Sequence, residues 1–171
     1  MAGLSVLKDA VVYIDTISTL GKAKTITLPT VERTTADHET LGMPGTIRIG
    51  VGLEAMEATI TWEGWNRELA VKAYNTYGFV DLQCRGVIEE MSGNVKTLTP
   101  CIAYMKGTFR STQGGEFSAK ALATRESTLD LHYYKEEVAG RPTVEVDVAN
   151  NVYKVDGIDL NSRRNQILGI V

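Results

Sequence analysis

The chain has 171 residues, enough for a single domain over residues 1–171 that buries roughly 70% of its unfolded surface, and its 43% apolar and 23% charged residues exclude disorder and fibrous repeats. A formal net charge of −3 excludes the clustered basic surface that sequence-independent nucleic-acid binding needs. No apolar run reaches the span of a bilayer, and residues 1–8 carry no signal-like basic and apolar regions, so no membrane span and a cytoplasmic site of synthesis are expected.

In chain order, residues 10–14 (AVVYI) and 23–31 (AKTITLPTV) are β-rich and separated by polar residues, which predicts a hairpin at a sheet margin, with Pro29 ending the second strand. Residues 32–50 are rich in Thr, Gly and charge. They are too long for a tight turn and read as an extended loop or arm. From Met56 the pattern has period two: Met56, Ala58, Ile60 and Trp62 on one face, Glu57, Thr59, Thr61 and Glu63 on the other. With Glu54 nearby and no basic residue between Val51 and Trp65, this strand predicts a polar, locally acidic sheet face, better suited to a wall than to a gripping pocket.

Asn66 is a good N-cap, Glu68 sits where the helix dipole favours an acid, and Gly78 marks a stop, so a short amphipathic helix is expected within 66–77, burying Leu69, Ala73, Tyr74 and Tyr77. Strands follow over 79–90, with Val80, Leu82, Cys84 and Ile88 inward, and over 100–112, with Lys106, Thr108 and Arg110 outward. Strands at 124–138 and 143–148 join through a hairpin turn at 139–142, and Asp156-Gly157 marks another turn. The tail at 160–171 reads as a short helix with an apolar end. The sum is a mainly β fold, a β-sandwich or barrel of two packed antiparallel sheets with one flanking helix and a long arm.

No chemistry-bearing constellation survives scrutiny. Gly50, Gly52 and Ala55 fit G-x-G-x-x-A, but the β-branched alternation after them supplies a strand where a dinucleotide site needs a helix; a turn and bulge is the better reading. His38 and His132 lack neighbouring ligands in sequence, and Cys84 and Cys101 read as buried free thiols. The adjacent pairs Glu89-Glu90 and Glu136-Glu137 point to opposite faces of a strand. No nucleophile has a partnered base, so neither catalysis nor a metal or other cofactor is expected. Trp62 reads as core, and Trp65 as core or a helix staple.

The residues Gly42-Met43-Pro44 followed by Gly52-Leu53-Glu54-Ala55-Met56-Glu57 resemble the major tail tube protein family of contractile-tailed phages and pyocin-like tailocins. The resemblance continues colinearly through Thr25-Ile26-Thr27-Leu28-Pro29, Tyr133-Tyr134-Lys135, Gly140-Arg141, Val144-Glu145-Val146-Asp147, Gly157-Ile158-Asp159 and Arg164-Asn165-Gln166-Ile167-Leu168-Gly169, with spacing disturbed between Asp81 and Arg125. Ile14-Asp15-Thr16 departs from the glycine the family often has after Ile-Asp. The resemblance implies a non-catalytic subunit that forms stacked hexameric rings, a hollow tube inside a contractile sheath in the virion tail. It implies partners: the tail sheath, a tape measure protein, baseplate and tail terminator proteins, and double-stranded DNA in passage. On that basis Glu57, Thr59, Thr61, Glu63, Thr128 and Asp130 are expected to face the lumen, and Leu41, Gly42, Met43 and Pro44 to contact the next ring. The alternative reading is a monomeric β-barrel module that binds a ligand or carbohydrate.

Overall fold

The computed structural model describes residues 4–42, 44–64, 66–92, 95–116, 119 and 123–170. Its strands are β1 (Leu4–Ile14), β2 (Ile17–Ser18), β3 (Ala23–Thr27), β4 (Arg33–His38), β5 (Ile47–Leu53), β6 (Met56–Trp62), β7 (Phe79–Ser92), β8 (Val95–Thr112), β9 (Arg125–Val138), β10 (Arg141–Asp147), β11 (Val152–Val155) and β12 (Ile158–Asp159). Helix α1 spans Arg67–Tyr74 and α2 spans Ser162–Leu168.

All pairings are antiparallel, and ten strands share one hydrogen-bonded sheet. The long strands β7, β8 and β9 form its spine. The edge of β9 is used twice: residues Arg125 to Leu131 pair with β6, which pairs with β3, while Tyr133 to Val138 pair with β10, followed by β11 and β12. A bulge makes the split. Lys106 lies opposite Tyr133 but Gly107 opposite Leu131, so His132 is the extra residue, and the inward residues change from Leu129 and Leu131 to Tyr134. Gly107 is what lets the strands come this close, because a Cβ there would stand 2.0 Å from the Asp130 carbonyl oxygen.

The path β1-β7-β8-β9-β6-β3 closes on itself through Thr19. This buried residue donates its amide (3.0 Å) and hydroxyl (2.8 Å) to the Val12 carbonyl, and its own carbonyl accepts from Lys22 and Ala23. The expected hairpin between 10–14 and 23–31 is therefore corrected: β1 turns onto β2 and pairs with β7, and β3 pairs with β6. Inside sit Val12, Ile14, Ile60, Trp62, Leu82, Met105, Phe109 and Leu129. Trp62 donates its indole N–H to the buried Ser127 hydroxyl at 3.0 Å. Cys84 is buried and Cys101 half-buried, both as free thiols, and burial raises both pKa values.

Helix α1 opens on Asn66, whose side chain accepts from the Leu69 amide at 2.9 Å, and it buries Leu69 and Ala73. It ends at Tyr74, short of the expected 77, because the Asn75 side chain accepts from the amides of Tyr77 and Gly78 and turns the chain. Tyr74 and Tyr77 are consequently exposed, and Ile88 is only half-buried. The turns at Ala139-Gly140 and Asp156-Gly157 both take two left-handed residues, the backbone that joins twisted strands with two-residue loops.

Within 32–50, residues 33–38 and 47–50 are strand rather than loop. They form most of a two-stranded ribbon, β4 with β5, that belongs to no other sheet. Gly50 and Gly52 lie in β5 opposite Thr35 and Thr34, with Val51 bulged between them and the Arg33 side chain lying across Gly50.

Candidate channel and docking surfaces

The period-two strand β6 behaves as its pattern demands: Met56, Ala58, Ile60 and Trp62 are all buried, and Glu57, Thr59 and Thr61 stand on the opposite face. Register brings matching side chains beside them. Thr25, Thr61 and Glu126 form one cross-strand row; Thr27, Thr59, Thr128 and Ser111 form the next; Glu57, Asp130 and Thr108 form a third. The face is a field of hydroxyls with a few charges set into it.

Most of those charges are paired with cations from neighbouring strands, although residues 51–65 themselves carry none. Arg110 is the bulged residue of β8, between Phe109 opposite Leu129 and Ser111 opposite Thr128. Its guanidinium hydrogen-bonds both carboxylate oxygens of Glu57, one at 2.8 Å, and lies 3.1 Å from Asp130. The Arg110 hydrogen bond holds the Glu57 carboxyl below its usual range. Glu63 lies just past the end of β6 and takes Lys24 at 2.6 Å, while Lys106 lies 3.6 Å from Asp81. Across this face Glu57, Glu63, Asp81, Glu126 and Asp130 stand against Lys24, Lys106 and Arg110, a small acidic excess.

A second surface is the ribbon. Ile47, Ile49 and Val51 are exposed along it, and at its end Leu41 has 105% relative exposure, beside Gly42 in a left-handed turn (φ +89°) and an exposed Pro44. Met43, the fourth expected contact, lies outside the described residues, as does Trp65. Where the ribbon leaves the barrel, the fork between β6 and β10 opens a groove of about 870 Å³. Val31, Leu53, Met56, Leu131, Val152 and Tyr153 supply its apolar lining, and Arg33 and Arg164 its cations; His132, at the bulge, also faces it. Sequence reasoning missed this groove. It depends on β9 pairing with two strands on one edge, which no local pattern announces.

Beyond the groove, α2 buries none of its residues. It is held to the β10–β11 turn by side-chain amides: Asn161 and Asn165 both donate to the Asn151 carbonyl, at 3.3 and 3.1 Å, and Asn151 donates to the Asn165 side chain. Among the described residues no three metal-ligating side chains cluster, and His38 is exposed on β4 opposite Ile47.

Residues 5–169 match the family model described as phage tail tube protein FII. The chain belongs to this family. It is 30% identical over 150 residues to the major tail tube protein of Serratia phage KSP20, covering 86% of this chain and 85% of that one. It is 22% identical over 166 residues to the tail tube protein of Escherichia phage P2, covering 96% of each. As a family member it is a structural subunit of a virion tail tube. The fold is shared with solved structures at 12% identity: a PVC sheath/tube terminator (TM-score 0.54, covering 75% of this chain and 92% of that one) and a PVC sheath-tube complex (0.53; 75% and 87%), both from an extracellular contractile injection system in its extended state, and the anti-feeding prophage tube-terminating cap (0.52; 76% and 88%).

Proposed function

We propose that the hydroxyl-rich face of β3, β6, β9 and β8 lines the channel of a tube made of stacked hexameric rings, with Glu57, Thr59, Thr61, Glu63, Thr128 and Asp130 among the lumen residues. The observation that carries this is the pairing of Arg110 with Glu57 and Asp130: a guanidinium that would otherwise grip phosphate is already occupied by carboxylates. A wall of threonines with a slight acidic excess gives passing DNA little to hold and no strong barrier. In this reading a sheath surrounds the tube, a tape measure protein fills it during assembly, and baseplate and terminator proteins close its ends. The sheath-tube and terminator neighbours support such partners. The subunit acts through geometry and surface charge, without catalysis.

Two measurements test it. Negative-stain electron microscopy of the purified chain over a concentration range is expected to reveal rings or hollow rods of uniform width. Glu57→Lys leaves Arg110 with Asp130 alone and turns this patch basic while leaving the fold intact, so particles carrying it should eject DNA slowly. Normal infectivity in that variant refutes the lumen assignment.

A further inference from the structure

We propose that α2 is a strap that swings about Asn161 between its observed position and a closed one, in which it caps the fork groove of its own chain and keeps the free subunit from associating. What the strap regulates rests on the tube reading; closure itself is a property of the single chain. In its observed position the helix is weakly held. It has seven residues, buries none of them, has no side-chain cap at Asn161, and carries Arg163 and Arg164 in its first turn, where the helix dipole disfavours cations. Its apolar end, Ile167 and Leu168, is exposed. Its side-chain tether is the amide contact with Asn151, which water can replace at little net cost.

The groove is within reach. Asn161 and Arg164 already line it on the β10–β11 side, Gly52, Leu53 and Glu54 line it on the side of the ribbon root, and Met56 and Leu131 lie between. The backbone is fixed as far as residue 161 by the Leu160 amide on the Tyr153 carbonyl (2.8 Å) and the Asn161 amide on the Asp159 carboxylate (2.9 Å). Asn161 is therefore the pivot, and a helix of seven residues sweeps about 10 Å from it. Charge gives the direction of the swing. Two carboxylates, Glu54 and Asp147, and two guanidiniums, Arg33 and Arg164, line the groove. Asp147 accepts from Asn150 and the Arg33 side chain lies across Gly50, whereas Glu54 and Arg164 have no ion-pair partner among the described residues. Closure brings Arg164 to Glu54 and lays Ile167 and Leu168 over Met56 and Leu131, so one movement pairs the charges and takes apolar surface out of water.

The test uses the full-length chain. Gly52→Cys with Leu168→Cys should form an intramolecular disulfide when dilute protein is oxidised with diamide, read by mass spectrometry as the loss of two hydrogens. Gly52 has nothing within 4 Å of an added Cβ, and a chain with only Cys84 and Cys101 is the background. The oxidised chain should stay as single subunits at concentrations where its reduced form makes rings or tubes. Glu54→Arg and Arg164→Glu should each speed hydrogen exchange of the α2 amides about fivefold, and the double variant should restore the wild-type rate. Circular dichroism confirms that each variant is folded, and the charge pair is an independent measure should the cysteine pair misfold. A disulfide with blocked assembly, or restored exchange in the double variant, supports the strap. No disulfide, together with single variants that exchange like wild type, overturns it, and a disulfide that leaves assembly unchanged overturns the inhibitory role. Wild-type protein that forms neither rings nor tubes overturns the tube reading instead, and the disulfide and the exchange rates still decide closure.

Discussion

Gly107→Ala tests the architecture most directly. An added methyl would lie 2.0 Å from the Asp130 carbonyl oxygen, 2.9 Å from its carbon and 3.0 Å from Leu131 Cα. All three are backbone atoms of the neighbouring strand, so no side chain can swing aside. Relief requires β8 and β9 to separate by more than an ångström at the point where β9 passes from β6 to β10. Overpacking typically costs 1–3 kcal/mol, and a backbone obstacle places this case at the upper end, about 3 kcal/mol. In a chain of this length that corresponds to a fall in Tm of roughly 6–12 °C. Urea unfolding of dilute monomer measures it. Gly52→Ala is the control, since nothing lies within 4 Å of a Cβ there. If Gly107→Ala stays within about 0.5 kcal/mol of wild type, the close approach at the bulge does not hold the two halves of the sheet in place.

Three further outcomes are expected. Phe109, fully buried at the centre of the barrel, should cost about 3–5 kcal/mol on replacement by alanine, and a urea midpoint unchanged by Phe109→Ala would contradict the core assignment. Burial pushes the Asp15 carboxyl up, but the hydrogen bonds from Lys72 and from the Asp81 amide outweigh it, and the net shift is downward. A lowered folded pKa stabilises the fold above the unfolded value, near 4, and that stability is lost as pH falls through the folded value. Urea midpoints from pH 6 to pH 3 should thus fall more steeply for wild type than for Asp15→Asn, and parallel curves would count against the linkage. Asn151→Gly keeps the left-handed backbone (φ +54° in the native chain) but removes the amide side chain from the α2 contact, so trypsin should cut faster at Arg163 and Arg164; an unchanged rate would mean that α2 is held by other contacts.

The residues legible in sequence were those governed by their immediate neighbours. Period-two alternation gave β6 and its buried face because a strand places successive side chains on opposite sides of the sheet. Asn66 announced α1 because a cap acts on an amide three residues away, and Ala139-Gly140 and Asp156-Gly157 announced turns because left-handed backbone is a single-residue property. The tail helix was legible too, as a short segment with an apolar end. Even Asn75, which ends α1 early, acts through a local side-chain turn that the stop at Gly78 obscured.

What the tertiary structure decided lies between residues distant in the chain. Arg110 reaches Glu57 across 53 positions, and Lys24 reaches Glu63 across 39, pairings that only strand register decides. The ribbon was legible only in part: Ile47, Ile49 and Val51 alternate with arginine and glycine as a strand requires, but the partner strand Arg33–His38 carries no apolar alternation, and the two pair across a bulge at Val51. The groove was hidden for a deeper reason. It exists because one extra residue, His132, shifts the register of β9 and lets a single edge bond two strands in succession, and register is a property of strand pairs that no stretch of sequence carries alone.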